Sequence, residues 1–355
     1  MAKVLMKGNE AIGEAAIRAG CLNYFAYPIT PQSEVAEYLS RRMPEVGGVF
    51  LQGESEVAVS YMIFGAAAAG ARIFTTSSSP GISLMSEGIS YIAGAQCPAV
   101  FVNIMRGGPG LGGILPSQAD YLQATKGMGH GDFHLLVMAP ASVQEAVEMV
   151  MKAFPLAEKY RNPVMILGDG LIGQMMEPVE FPDHLKTEPS NKDGWATNGM
   201  DSRNSKQRNL VKSLFLDPEA LNNNNLELKA KYDQMKKEEI MFEQYHMDAP
   251  YEVLIVSYGT MSRVCRTAID NMHADGIEVG MLRPQTLFPF PEAQVLAGAE
   301  KAGCKAVVSV EMSMGQMLED VQRSVQGKKP VHWYGKCGGD VPTPEEVADF
   351  IRTLI

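Results

Sequence analysis

Short apolar runs alternate with stretches of helical periodicity through residues 1–180. Asn9 stands where it can cap a helix whose apolar side carries Ala11, Ile12, Ala15 and Ala19, with Gly20 as its end. Tyr24-Phe25-Ala26-Tyr27 reads as a strand. Pro28-Ile29-Thr30-Pro31 then turns the chain into a second helix, with Thr30 as N-cap and Pro31 at the first helical position. Val49-Phe50-Leu51 predicts a buried strand, and the run after Glu56, ending in alanines and glycines to Ala71, a closely packed helix. Ile73-Phe74-Thr75, a helix near Ser83–Ile92 and the strand Ala99–Ile104 follow. Beyond a glycine-rich loop from Arg106 to Leu115 come Leu135–Met138, the helix Val143–Tyr160 and the strand Val164–Leu167. Strands and helices alternating at this spacing predict an α/β fold with a parallel sheet covered on both faces.

The pattern breaks at residues 181–250, which read as a polar linker. Asn191 to Asn209 is poor in aliphatic residues, and Asn222–Asn225 is a run of asparagines of loop composition. Leu226 to Tyr245 has helix formers and mixed charges, which predicts one exposed helix crossing between domains. Alternation resumes at Val253–Val256 and continues through helix Thr260–His273, strands Val279–Leu282 and Ala306–Val310, helix Gly315–Ser324, strand Val331–Tyr334 and helix Thr343–Leu354. Residues 251–355 thus predict a second, smaller α/β domain. No internal repeat is visible.

Composition adds limits. The 355 residues are 46% hydrophobic, enough for two domains with proper cores. A net charge of −10 argues against nucleic acid or an anionic membrane as the main partner. No apolar run reaches the roughly 18–20 residues that span a bilayer, and Glu10, Glu14 and Arg18 interrupt any leader-like core. A cytoplasmic protein is expected. Cys21, Cys97, Cys265, Cys304 and Cys337 form no C-x-x-C pair, so spacing encodes neither a zinc site nor an iron–sulfur cluster in this chain.

Four patterns compete as chemistry. Gly168-Asp169-Gly170 resembles the start of a magnesium–pyrophosphate motif. The asparagine that should follow about one βα unit later falls in the linker near Asn191, so the reading is a strand ending in a turn, and no metal site is assigned to the chain. The loop Gly107–Gly113 follows a strand as a phosphate loop would, but lacks the Gly-Lys-Ser/Thr ending; a loop that lets backbone approach a ligand is the safer reading. His130, Asp132 and His134 suggest either metal ligands or a loop beside a pocket, and Gly129 and Gly131 weigh against helical ligand geometry. The fourth is a set: Tyr27-Pro28-Ile29-Thr30-Pro31, Glu56, Ser77-Ser78-Ser79-Pro80-Gly81 and Arg106. Each member lies where a predicted strand ends, and ligands of a parallel sheet bind outside those ends. Together they supply an acid, hydroxyls and a guanidinium. The plain alternatives are a first-turn acid for Glu56 (or Glu54), a helix cap for Thr30 and a surface arginine for Arg106.

At this set the sequence resembles the α-type subunit of the 2-oxoacid:ferredoxin oxidoreductases. The resemblance rests on Tyr27–Glu34, Glu54-Ser-Glu56, Ser79–Glu87 and Pro116-Ser-Gln-Ala-Asp120, and in the second half on Arg283–Pro291 and Glu311–Gln316. In detail it resembles the branched-chain, 2-oxoisovalerate-type members. It implies a pyrimidine-binding thiamine-diphosphate domain followed by a transketolase C-terminal-like domain. By the same resemblance Glu56 bonds the aminopyrimidine ring nitrogen as catalytic acid, and Pro28, Ile29 and Ser79 lie against the cofactor. Thr30 and Arg106 meet the carboxylate and carbonyl end of the 2-oxoacid. Loss of CO₂, transfer of the acyl group to coenzyme A and passage of electrons to ferredoxin are implied. So are partner subunits: a pyrophosphate-binding chain with Mg²⁺, a γ-type chain and a ferredoxin-like chain, with [4Fe-4S] clusters outside this subunit. Two rivals remain: the pyrimidine-side subunit of a lipoyl-linked 2-oxoacid dehydrogenase, and a non-catalytic scaffold.

Overall fold

The structure, a computed structural model, describes residues 3–182, 190–200 and 207–355. The first half runs β1 (Val4–Lys7), α1 (Gly8–Arg18), β2 (Asn23–Ala26), α2 (Ser33–Glu45), β3 (Val49–Gln52), α3 (Glu56–Ala68), β4 (Phe74–Ser77), α4 (Ser79–Gly94), β5 (Ala99–Met105), α5 (Tyr121–Thr125), β6 (Leu136–Met138), α6 (Val143–Tyr160), β7 (Pro163–Asp169), α7 (Gly170–Gln174) and β8 (Met176–Val179). After the connecting segment come α8 (Pro218–Glu238), β9 (Phe242–Tyr245), β10 (Val253–Val256), α9 (Gly259–Ala274), β11 (Val279–Pro284), β12 (Thr286–Phe288), α10 (Glu292–Ala299), β13 (Ala306–Glu311), α11 (Leu318–Val325), β14 (Val331–Gly335) and α12 (Pro344–Arg352).

Two sheets result. The larger has the order β12-β6-β7-β5-β4-β2-β3, parallel except for β12 at its edge. Its centre is β5 against β7, in register from Ala99↔Pro163 to Met105↔Asp169 and buried at every residue. Such continuous apolar runs are what a strand covered on both faces requires. The smaller sheet, β14-β13-β10-β11-β9, is parallel except for β9. A separate antiparallel pair joins β1 to β8. No helix among the described residues is long and apolar enough to cross a membrane.

Several expectations give way. Val49–Leu51 does form β3, but at the open edge of the sheet, with Val49 and Leu51 exposed rather than buried. Asn9 is not a cap: Lys7 occupies that position, and the buried Asn9 amide donates to Pro31 O (2.8 Å) and the Glu34 carboxylate (2.9 Å). Thr30 does not cap α2 and Pro31 is not its first residue. The Thr30–Pro31 bond is cis and the helix starts at Ser33, with Gln32 in the cap position.

The connecting segment also differs from its expected form. Asp217 accepts a hydrogen bond from Ala220 N (3.1 Å) and Pro218 opens the helix, so α8 begins early enough to include Asn222–Asn225. It ends at Glu238, and Phe242–Tyr245 becomes a strand because the open edge of β11 offers it backbone partners. The halves therefore interlock. β9 from the segment read as linker completes the second sheet, while β12 from the second half pairs with β6 of the first.

The stretch Pro116–Asp120 ties the halves together on the side of the strand ends. Gln118 donates to Tyr258 O (2.9 Å), accepts from Met312 N (2.9 Å), and gives its backbone N–H to Met312 O (2.9 Å). Gln316 reaches back to Ala119 O (2.6 Å) and Leu122 N (2.9 Å). Beneath it the buried Glu311 carboxylate receives the N–H groups of Met317 (2.9 Å) and Leu318 (3.0 Å), which fixes the turn that carries Gln316.

Candidate functional site

The carboxyl ends of β7, β5, β4, β2 and β3 lie side by side in that order. Residues 28–30 follow β2, Glu56 follows β3, Ser78–Gly81 follow β4, and Arg106 follows β5.

Glu56 is the first residue of α3, behind the N-cap Ser55, whose hydroxyl accepts from Ala58 N (3.2 Å). Its side chain is 6% exposed, and its carboxylate makes no hydrogen bond among the described residues. Glu54, two positions earlier, is exposed. The first turn of α4 comes close to Glu56 because residue 81 is glycine. A Cβ there would stand 2.8 Å from Glu56 Oε1 and 2.1 Å from Ser77 Oγ. The hydroxyls of Ser77 and Ser78 are buried and unpartnered. A buried polar group left unmade costs about 1–3 kcal/mol, a cost that the Ser77 and Ser78 hydroxyls carry beside the unbonded Glu56 carboxylate.

Arg106 is built differently. Its side chain is buried, with Nη1 donating to Thr30 O (2.9 Å) and Nη2 to Leu111 O (3.1 Å). Leu111 is in reach because the glycine loop doubles back: Gly113 N donates to Gly107 O (2.8 Å). Gly112 sits at φ +60°, where a Cβ would fall 1.7 Å from Gly107 O. Arg106 Nε is buried and unpartnered. An arginine held at both Nη atoms with a buried, unpartnered Nε keeps one donor that a carboxylate oxygen could satisfy.

The sequence reading missed what holds Arg106 in place. Ser79 Oγ accepts from Arg106 N (3.0 Å) and donates to Asp120 Oδ2 (2.6 Å); Asn103 donates to the same oxygen (2.8 Å) and accepts from Ser79 N (3.0 Å). Burial raises the Asp120 carboxyl above its ordinary range, and the Ser79 and Asn103 bonds oppose that. The hydroxyl of Ser79 is thus committed to positioning rather than free for a ligand. An asparagine inside the apolar run Ala99–Ile104 was the available signal. The group borders a cavity of about 440 Å³ between the loop after β5 and Ser313, Gln316 and Cys337 of the second half.

Pro28 is exposed, Ile29 is half-buried, and Thr30 is exposed with its hydroxyl unbonded among the described residues. Asp169 ends β7 and caps α7, its Oδ1 accepting from Leu171 N (2.9 Å) and Ile172 N (3.2 Å). Burial, against these two bonds, pushes its carboxyl up. His134 stacks on Phe288 at 4.1 Å, while His130 and Asp132 line a surface cavity of about 780 Å³, as a loop beside a pocket would.

The chain falls in a thiamine-diphosphate-binding class. Residues 14–243 match the family described as pyruvate flavodoxin/ferredoxin oxidoreductase, thiamine diphosphate-binding, and residues 251–347 match pyruvate:ferredoxin oxidoreductase core domain II. The chain belongs to this family of 2-oxoacid:ferredoxin oxidoreductase subunits. It is 47% identical to the ketoisovalerate oxidoreductase subunit VorB of Methanothermobacter thermautotrophicus, covering 100% of this chain and 98% of that protein. It is 35% identical to the 2-oxoglutarate synthase subunit KorA of the same organism, covering 98% of each. Among solved structures, the 2-oxoglutarate:ferredoxin oxidoreductase of Magnetococcus marinus, with 2-oxoglutarate, coenzyme A and succinyl-CoA bound, superposes with a TM-score of 0.85 at 27% identity. The match covers 99% of this chain and 65% of that one. A split-gene transketolase in its inactive β4 tetramer shares the fold alone, with a TM-score of 0.59 at 14% identity over 98% of both chains.

Proposed function

We propose that this chain is the pyrimidine-side subunit of an enzyme that oxidatively decarboxylates a branched-chain 2-oxoacid of the 2-oxoisovalerate type. The products are CO₂ and an acyl-CoA, and ferredoxin takes the electrons. The observation that carries the reading is the buried, unbonded Glu56 carboxylate beside Gly81. The full-length match to a ketoisovalerate oxidoreductase subunit supports the substrate class. Thiamine diphosphate, when bound, supplies the carbon nucleophile and the electron sink for decarboxylation.

The chain's own residues have distinct tasks. Glu56 bonds the aminopyrimidine ring nitrogen. Pro28 and Ile29 pack beside the ring. Arg106 Nε and the Thr30 hydroxyl take the carboxylate and carbonyl end of the 2-oxoacid. Ser79, with Asp120 and Asn103 behind it, orients Arg106. The Oδ1 atom of Asp169 is occupied by two backbone N–H groups. This supports placing Mg²⁺ and the pyrophosphate on a partner chain; γ-type and ferredoxin-like chains complete the assembly, and the [4Fe-4S] clusters lie on partner subunits, at least one of them on the chain that supplies the metal half. Four buried thiols fit a cytoplasmic setting.

A panel of 2-oxoacids assayed on the assembled complex with coenzyme A and a viologen acceptor tests the substrate class. Branched substrates should give the highest kcat/KM, and a preference for 2-oxoglutarate or pyruvate would overturn it. In the same assay Arg106→Ala should raise KM for the 2-oxoacid roughly ten- to hundred-fold, the worth of a charge-assisted hydrogen bond of about 1.5–3 kcal/mol. Thr30→Val should act in the same direction but more mildly. Unchanged substrate kinetics in Arg106→Ala would leave the arginine structural. Calorimetry on the isolated chain should show weak thiamine-diphosphate binding that the partner subunit restores, because anchoring one end alone forgoes an effective-concentration gain of roughly 10²–10⁴. Tight Mg²⁺-dependent binding by the single chain, abolished by Asp169→Ala, would return Asp169 to the site.

A further inference from the structure

The strand ends that carry Glu56 and Arg106 leave the opposite end of the second sheet unexplained. β9 runs antiparallel to β11, with Tyr245 opposite Met281, so His246 is delivered beside the start of β11. α9 returns to the same end, placing His273 in its last turn, and Glu278 immediately precedes β11. Two of the chain's six histidines therefore meet at one point, although 27 residues separate them in sequence (273 − 246). Their rings lie 4.9 Å apart at 75°, and His273 Nδ1 is 3.0 Å from Glu278 Oε1. One donor atom from each of His246, His273 and Glu278 falls within 4.8 Å of the other two. His246 holds φ +51°, in the left-handed region that residues other than glycine rarely enter.

We propose that His246, His273 and Glu278 form a binding site for a divalent transition cation of the zinc class. Imidazole is the ligand such ions favour, and two imidazoles with one carboxylate is a set that zinc accepts, a solvent molecule filling the fourth position. Bonds of about 2.0–2.2 Å to a tetrahedral ion bring ligand atoms to roughly 3.3–3.6 Å of one another. The side chains of His273 and Glu278 are 53% and 41% exposed, so they are free to close the remaining distance without moving the core. Asp270 Oδ1, which accepts from the Tyr245 hydroxyl (2.5 Å), stands 3.7 Å from His246 Nε2 and adds negative charge beside that ring. The field is right for a cation. The carbonyl end of α9 points here, Asp270 and Glu278 flank the site, and the nearby Arg352 and Arg266 are engaged with Asp275 and Glu243.

The site is distinct from the Mg²⁺ requirement of the proposed reaction, because Mg²⁺ prefers oxygen ligands, and it lies at the far end of the strands from Glu56. The three residues are too far apart in sequence for any spacing motif to group them. The effect of the site would be to fasten the end of α9 to the β9–β11 edge.

Titration of zinc chloride into the full-length chain, followed by calorimetry under a non-chelating reductant, tests it. One equivalent should bind with micromolar or tighter affinity and raise the melting temperature, and Mg²⁺ at the same concentration should do neither. His273→Gln, at an exposed position, and Glu278→Gln, at a half-buried one, should each weaken zinc binding at least tenfold. His246→Asn should do the same while keeping a residue that tolerates the left-handed backbone. Circular dichroism on each variant separates lost ligation from lost fold. No saturable binding at millimolar zinc, or binding that survives in all three folded variants, would overturn the proposal.

Discussion

Replacing Glu56 by glutamine in the assembled enzyme is expected to lower turnover by roughly 10²–10⁴, the usual contribution of a positioned acid–base group. Glutamine keeps the volume beside Gly81, where Glu56 Oε1 would lie only 2.8 Å from an added Cβ, so packing is preserved and the proton function alone is removed. Hydrogen–deuterium exchange at the cofactor's reactive carbon should slow in parallel. Glu54→Gln is the control, since Glu54 is exposed where Glu56 is 6% exposed. If Glu54→Gln did the damage and Glu56→Gln did not, the assignment of the acid would be wrong.

The second large effect concerns stability. Arg283, on β11, is 3% exposed and forms a two-pronged pair with Glu145 of α6 through Nη1 (2.8 Å) and Nη2 (2.5 Å), while its Nε donates to Glu243 of β9 (2.8 Å). Burial alone would raise the Glu145 carboxyl, but Arg283 and the backbone N–H of Ala141 hold it below its ordinary range. Burial likewise opposes the lowering of Glu243 that Arg266 and Arg283 produce. Arg283→Ala leaves the Glu145 carboxylate without its cation while Glu243 keeps Arg266, so unfolding free energy should fall by about 3 kcal/mol, the low end of the cost of breaking a buried pair from one side. Urea unfolding of the full-length chain measures it. Both carboxylates are lowered in the folded state, so their stabilisation is complete above the unfolded value, about 4.3, and is lost as pH falls through the lowered folded values. The variant should show a flatter acid limb. A loss under about 1 kcal/mol would make the cluster a minor contact.

The parallel core was legible because β5, β7 and β10 are largely apolar runs buried on both faces. What failed was position within a sheet. Val49-Phe50-Leu51 carries the same local signal as those strands, and nothing in three residues says that β3 is an edge. Phe242–Tyr245 carries helix formers around it, yet β11 supplied a backbone partner and the strand won. Asn222–Asn225 looked like a loop until Asp217 and Pro218 fixed the start of α8 ahead of it. At the site, the gathering of Glu56, Ser79 and Arg106 at strand ends was readable from topology. The network behind Arg106 was not, because Asn103, Asp120 and Ser79 are separated in sequence and meet only once the sheet is formed.

The pairing of β12 with β6 has a consequence for how the chain is made. β6 ends at Met138 and its partner ends at Phe288, so 150 residues (288 − 138) must follow before the large sheet closes on that side. At about 5–20 residues per second of synthesis, the β6 edge waits on the order of ten to thirty seconds on the ribosome with its backbone groups unpaired. An unpaired edge is a template for wrong pairing with neighbouring chains. During translation the first half is therefore a client for whatever shields nascent strands, and its vulnerable interval is set by the length of the segment that separates β6 from β12.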